Sequence, residues 1–162
     1  MHDVFLSVGG NLGNKQHNLQ KVRMYISRRI GELTGQSSVY ETPPWGFLAE
    51  EDFWNQVLQV RTALSPENVL REAHEIEQLF GRKQDAGYYM SREMDIDILY
   101  YDSDTISTDE LIIPHPRIPE RLFVLVPLVE LAPGYVHPVH KRTNRQLLDQ
   151  CSDKSAITRI EL

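Results

Sequence analysis

The chain has 162 residues, 41% of them hydrophobic and 25% charged, which is typical of one folded domain, so residues 1–162 are interpreted as a single unit. Its formal net charge is −6, and the absence of a long basic stretch argues against general nucleic-acid binding. No segment approaches the ~20 apolar residues of a membrane span, and the lone Cys151 cannot form an internal disulfide, so a cytoplasmic protein is expected.

The amino-terminal third predicts a strand followed by a helix. Apolar residues dominate positions 4–8, and the glycine-rich GGNLGN that follows predicts a loop. The spacing of these glycines matches neither common phosphate-binding motif. Asn14 is a candidate helix cap, and apolar residues recur at helical spacing from Leu19 to Ile30.

The middle of the chain predicts two strands and a second helix. SSVYETPPWG indicates a short strand that runs into a stiff Pro-Pro loop, and FWNQVLQVRTAL indicates a longer strand. Ser65-Pro66-Glu67 is a strong helix start, and Gly81 is expected to end that helix. His74 and Glu77, three residues apart, are expected to share one helix face.

The carboxyl-terminal part is less regular. DSDTISTDELIIP indicates a turn and a short strand, Pro127 could open a helix through Leu131, and NRQLLDQ indicates a short helix. These elements lack a regular β-α-β alternation. They predict an α+β fold with helices packed on one face of a sheet.

The segment REMDIDILYY places two acidic residues in an apolar strand. Because side chains alternate along a strand, Asp95 and Asp97 should emerge on one face, roughly 7 Å apart, while Ile96, Ile98 and Tyr100 take the other. Two carboxylates this close would raise each other's pKa unless cations lie nearby, and hard divalent cations prefer such oxygen ligands. The D-x-D pattern alone is more typical of a solvated face on an edge strand, and the apolar flanks together with nearby arginines shift the interpretation toward a metal site.

Cationic and aromatic residues accompany this acidic pair. Arg82 and Arg92 bracket the strand, and the proline-rich PHPRIPER adds His115 and Arg121. Metal ions combined with arginines are typical of phosphate chemistry. Trp45 follows Pro43-Pro44 in a loop, where it could line a site for a flat heterocycle.

Seven blocks together resemble the 6-hydroxymethyl-7,8-dihydropterin pyrophosphokinase family of folate biosynthesis. They are, in order, GGN, ETPPWG, FWN, EIEQLFGR, SREMDIDIL, PHPR and ERLFVLVPLVELAP. The resemblance runs from Val4 to about Pro138. It implies a ferredoxin-like antiparallel sheet with helices packed on its faces, and pyrophosphate transfer from ATP to the pterin hydroxymethyl group.

The resemblance also implies roles for individual residues. Asp95 and Asp97 would bind two Mg²⁺ ions and would be catalytic together with Arg82 and Arg92. ATP would contact His74, Glu77, Arg82, Arg92, Ile98, His115 and Arg121. The pterin would contact Thr42, Pro43, Pro44, Trp45, Gly46, Phe53, Asn55 and Phe123. Tyr88 and Met90 depart from the family pattern, in a segment expected to form a mobile lid.

Two other functions stay open at this point. A metal-dependent nucleotidyltransferase also combines a glycine turn with D-x-D, but more than 80 residues separate Gly10 from Asp95, which disfavours that class. A non-catalytic binding module of the same architecture would leave the aspartates as a solvated face. A monomer is expected, with ATP and the hydroxymethylpterin as its partners and neither nucleic acid nor membrane.

Overall fold

A computed structural model describes residues 1–43, 51–81 and 93–162. The strands are β1 (His2–Gly10), β2 (Glu32–Gln36), β3 (Val39–Thr42), β4 (Phe53–Thr62), β5 (Asp95–Tyr101), β6 (Ile106–Ser107), β7 (Ile112–Ile113) and β8 (Thr158–Ile160). The helices are α1 (Lys15–Arg29), α2 (Pro66–Leu79), α3 (Leu122–Leu131) and α4 (Asn144–Gln150), and a 3₁₀ turn covers Ile118–Glu120. None of the helices in the described ranges is long and apolar enough to cross a membrane.

An antiparallel sheet forms the centre of the fold. Its strand order is β5-β1-β4-β3-β8, and β2 pairs with β4 beyond the end of β3. The longest ladder joins β1 to β4, from His2 opposite Thr62 to Gly10 opposite Trp54. β5 is an edge strand beside β1, so both predicted acidic residues lie at one margin of the sheet.

The predicted starts of α1, α2 and α4 are confirmed. The Asn14 side chain accepts a hydrogen bond from the backbone of His17, and Ser65 accepts one from the backbone of Asn68. Each bond satisfies a backbone N–H that has no partner within the helix. Thr143 forms a complete capping box at the start of α4.

Helices cover both faces of the sheet. Val4 and Leu6 of β1 pack with α1 and α2, whereas Phe5 packs with α3 and α4. The expectation from the element pattern alone, that the helices share one face, is wrong. The ferredoxin-like sheet with helices on its faces is the observed architecture.

Helix α3 begins five residues before the predicted position. It starts at Leu122 and contains Pro127 in its interior. The prediction that Pro127 opens this helix is wrong because the first turn is fixed by a distant residue. The Leu122 N–H donates to the Asp153 carboxylate at 3.0 Å, and the Arg121 carbonyl accepts the first helical hydrogen bonds.

A β-bulge interrupts the alternation of β5. The register pairs Leu6 with Ile98 and Phe5 with Tyr100, so Leu99 is the extra residue. Tyr100 consequently packs on the α3 side of the sheet, whereas Ile98 packs on the α1 side. The prediction that these two residues share a face is wrong.

Candidate active site

The two aspartates of β5 emerge on the α3 side of the sheet, before the bulge. Asp95 lies opposite Gly9 of β1, and Asp97 lies opposite Ser7. Asp95 is half-buried and Asp97 is exposed. Ile96, between them, is buried among the residues that face α1 and α2. Their β1 neighbours, Gly9 and Ser7, carry no bulky side chain.

The outer edge of β5 is held by helix α2. The Ile96 N–H, between the two aspartates, donates to the Glu77 carboxylate at 2.8 Å. Glu77 is only 4% exposed, whereas His74 on the same helix is exposed. The Glu77 side chain therefore contacts β5, whereas the His74 side chain faces solvent. Glu77 fixes the peptide that carries the aspartates.

We expect Glu77→Ala to lower the free energy of unfolding by about 1–3 kcal/mol, because the buried Ile96 N–H loses its acceptor. Glu77→Gln keeps a carbonyl acceptor and should lose less. The matched control is Glu75→Ala, which removes a surface ion pair with Arg29 and should change the free energy of unfolding by less than about 1 kcal/mol. Urea unfolding of the three variants measures these changes. Equal losses of unfolding free energy in Glu77→Ala and Glu75→Ala would contradict this role of Glu77.

Asn55 is held rigidly across the centre of the sheet. Its Nδ2 donates to Thr42 Oγ1 at 3.2 Å, and the two residues are 7% and 5% exposed. Gly9 lies opposite Asn55, and a Cβ at Gly9 would be 2.4 Å from Asn55 Oδ1. The carboxamide therefore occupies the space that any side chain at Gly9 would need.

Two aromatic rings lie on this same side of the sheet. Phe53 is opposite Thr42 in the ladder between β3 and β4. Phe123 is in the first turn of α3 and packs against the core on the α3 side. The Arg121 guanidinium carbon is 5.4 Å from the centre of the Phe123 ring, within the range of a cation–π contact.

His115 is attached to the outer edge of β5 as a neutral imidazole. The backbone N–H of His115 donates to the Leu99 carbonyl at 3.0 Å, and the ring Nδ1 accepts from the Arg117 N–H at 3.2 Å. Burial, followed by the positive charges of Arg121 and Arg117, lowers the pKa of the ring from 6.5 to about 4. Because Nδ1 accepts, the proton is on Nε2, which makes that atom a hydrogen-bond donor at neutral pH.

We expect His115 and the buried His137 to titrate near pH 4, since burial also lowers the pKa of His137 to about 4. Between about pH 4 and 6.5 the unfolded chain binds more protons than the folded protein. The two neutral imidazoles should therefore contribute fully to the free energy of unfolding above about pH 6.5, and this contribution should decrease as the pH falls through this window. NMR titration of the imidazole resonances measures the pKa, with urea-unfolded protein as the reference. Titration of both folded-state rings near pH 6.5 would contradict the expectation.

The remaining predicted residues fall into two groups. Pro43 is exposed and Ile98 is 5% exposed in the core, so any contact of Ile98 with ATP would come from its main chain. The others lie outside the described residues: Pro44, Trp45, Gly46, Arg82, Tyr88, Met90 and Arg92.

The donor set on β5 fits magnesium. The described ranges hold no cluster of three or more acidic, histidine or cysteine side chains suited to a metal. Mg²⁺ commonly needs only one or two carboxylates, because waters and substrate phosphates complete its octahedron. Asp95 and Asp97, on one face beside Ser7 and Gly9, supply such a pair.

Comparison with known proteins decides the family. The sequence profile described as 7,8-dihydro-6-hydroxymethylpterin-pyrophosphokinase (HPPK) matches residues 5–133. The chain belongs to this pyrophosphokinase family. Among its relatives is a Porphyromonas gingivalis protein named 2-amino-4-hydroxy-6-hydroxymethyldihydropteridine pyrophosphokinase, 38% identical over 83% of this chain and 93% of the relative. An Aquifex aeolicus protein of the same name is 34% identical over 88% of each chain.

Solved structures with the same fold come from larger pyrophosphokinase-family proteins. A Plasmodium falciparum HPPK-DHPS with pterin and p-hydroxybenzoate superposes with a TM-score of 0.75 at 18% identity, covering 92% of this chain. A second HPPK-DHPS, in complex with substrates, gives a TM-score of 0.73 at 15% identity. This chain spans 43% of the length of either protein. At these identities the likeness shows the fold alone.

Sequence reasoning missed two contacts around the candidate site. Gly9 was predicted only as part of a loop, although it lies in β1 opposite Asn55, whose side chain occupies the space beside it. Glu77 was expected to contact ATP, and no local signal indicated that it accepts the Ile96 N–H. Both contacts, Gly9 with Asn55 and Ile96 with Glu77, join segments that are far apart in the sequence. The GGN block was the only sequence signal near Gly9.

Proposed function

We propose that this chain transfers the pyrophosphoryl group of ATP to the hydroxymethyl oxygen of 6-hydroxymethyl-7,8-dihydropterin, releasing AMP, in folate biosynthesis. The relatives' names support this reaction. One structural observation carries the proposal. The aspartate pair of β5, the Asn55–Thr42 pair and the Phe53 ring all belong to the α3 side of the sheet, where metal, polar and aromatic contacts can converge on one substrate.

The reaction forms one bond and breaks another. The hydroxymethyl oxygen attacks the β-phosphorus and loses its proton, while the bond from that phosphorus to the α,β-bridging oxygen breaks and AMP leaves. Two bound Mg²⁺ ions would supply charge neutralisation and a lower pKa for the attacking hydroxyl. Asp95 and Asp97 would provide the oxygen ligands that hold the ions. In-line transfer needs positioning and electrostatic stabilisation more than covalent help, so no further general base is required.

The phosphates would be bound by cationic and neutral donors around β5. His115 presents Nε2–H without a charge of its own, because its pKa of about 4 keeps the ring neutral. Arg121 adds a permanent positive charge at the start of α3. Arg82 and Arg92, which the family resemblance assigns to the moving phosphates, complete the proposed set.

The pterin would lie between the rings of Phe53 and Phe123. Asn55 would read the polar edge of the heterocycle, because Thr42 fixes its amide through one N–H and leaves the other N–H available. The segment from Thr42 to Gly46 is proposed as the wall of this pocket. A flat apolar slot with a few fixed polar groups is typical of heterocycle sites.

The cellular setting stays a prediction. A cytoplasmic location is supported by the single cysteine, which suits a reducing compartment. A monomer is proposed because the two core clusters hold the buried apolar side chains, and the exposed ones of the described elements, Met24, Leu79 and Ile112, lie on three different elements.

One assay tests the proposed reaction. Purified protein is incubated with ATP, Mg²⁺ and reduced hydroxymethylpterin, and the nucleotide products are separated. AMP formation that requires the pterin is expected. ADP as the product would contradict pyrophosphate transfer, and released pyrophosphate would favour a nucleotidyltransferase. Absence of turnover, with pterin still bound, would favour the non-catalytic module.

A further inference from the structure

Helix α3 lacks a side-chain cap of its own. The residue before it, Arg121, has an extended backbone and makes no capping hydrogen bond with its side chain. The carboxyl-terminal segment supplies the missing acceptor, because Asp153 Oδ2 accepts the Leu122 N–H at 3.0 Å. A carboxylate at a helix start satisfies a free N–H and interacts favourably with the helix dipole.

Asp153 is itself held in place. Its Oδ1 accepts from the Ser155 N–H at 2.8 Å and from the Ser155 hydroxyl at 2.5 Å. The chain then continues into β8, which pairs with β3 at Val39, Tyr40 and Glu41. Segment 151–160 therefore joins the start of α3 to the strand that ends at Thr42.

Residues proposed to contact the substrates lie at the start of α3 and at the end of β3, the two elements that segment 151–160 joins. Arg121 and Phe123 flank Leu122, and the Arg121 guanidinium lies over the Phe123 ring. Thr42, at the other end, orients Asn55. Releasing the Leu122 N–H would loosen the first turn of α3, which is the turn that directs both flanking side chains.

We propose that Asp153, held by Ser155, is a positioning residue that directs Phe123 and Arg121 toward the pterin and the nucleotide. The proposal rests on the proposed function for the substrate roles of these two side chains. Asp153 contacts neither substrate in this account. It acts through the backbone of Leu122.

Steady-state kinetics of three variants test the functional part. Asp153→Ala should raise the KM for the pterin about tenfold with a change in kcat of less than about threefold, because positioning for binding is lost and the reacting groups remain. Asp153→Asn keeps an acceptor for Leu122 and should stay within about threefold of the wild type in both constants. Asp149→Ala, the same charge change on the exposed side of α4, is the matched control and should behave as the wild type.

Amide hydrogen exchange and side-chain NMR test the structural part without relying on turnover. Asp153→Ala should speed exchange at Leu122 at least about tenfold and shift the Phe123 ring resonances, and Ser155→Ala should give smaller changes in the same direction. If Asp153→Ala speeds exchange at Leu122 but leaves the Phe123 resonances and the KM for the pterin unchanged, the proposal is overturned. Equal effects of Asp149→Ala on these measurements would also overturn it. If the wild type makes no AMP, the proposed function fails, while the Phe123 shifts still decide whether Asp153 positions that ring.

Discussion

Asp97→Ala is expected to lower the rate of pyrophosphate transfer by about 1000-fold, because the proposed Mg²⁺ site loses one of its two carboxylates. The free energy of unfolding should change by less than about 0.5 kcal/mol, since Asp97 is exposed and its removal relieves repulsion from Asp95. AMP formation measured across a Mg²⁺ titration, with urea unfolding of the same sample, separates the two effects.

A matched control is available in the same sheet. Asp3 is exposed in β1, on the same side as Ser7 by strand alternation and far from the aspartate pair along the strand. Asp3→Ala removes the same charge and should retain the wild-type rate and Mg²⁺ dependence. Near-full transfer activity in Asp97→Ala would show that the metal assignment is wrong.

Gly9→Ala is expected to raise the KM for the pterin about thirtyfold and to lower the free energy of unfolding by about 1–3 kcal/mol. The added Cβ would lie 2.4 Å from Asn55 Oδ1 and 2.6 Å from the Trp54 carbonyl, so the Asn55 amide must move. In an Asn55→Ala background the same substitution should raise the KM less, because the Asn55 amide is gone and only the clash with the Trp54 carbonyl remains. Steady-state kinetics of the wild type, the two single variants and the double variant measure the coupling.

Gly31→Ala is a control that shows whether a loss of stability alone raises the KM for the pterin. A Cβ at Gly31 would lie 2.1 Å from the Arg61 carbonyl, a comparable backbone clash at the opposite end of β4 from Asn55. Its unfolding free energy should fall, whereas the pterin KM should stay near the wild-type value at a temperature where the variant is folded. A similar KM increase in both glycine variants would contradict the specific role of Gly9.

Local signals were sufficient to predict most elements of the fold. The caps at Asn14 and Ser65 and the apolar periodicity that follows them are read from neighbouring residues. β8 was not predicted, because it has three residues, mostly exposed, and forms only by pairing with β3. The start of α3 was misplaced because its acceptor, Asp153, is 31 residues away in sequence.

The candidate site divides in the same way. Strand alternation was enough to place Asp95 and Asp97 on one face, since that relation depends only on local geometry. The contact between Asn55 and Gly9 and the hydrogen bond from Ile96 to Glu77 depend on tertiary packing. The family resemblance predicted the candidate site residues, and the structure adds the tertiary contacts that fix their positions.

The fate of the β-phosphorus of ATP distinguishes pyrophosphate transfer from the alternative reactions. ATP labelled at that atom is incubated with Mg²⁺ and reduced hydroxymethylpterin, and the products are resolved by chromatography. The label is expected in the pterin diphosphate, and the AMP should be unlabelled. Label recovered in ADP or in free pyrophosphate, with no labelled pterin, would contradict pyrophosphate transfer.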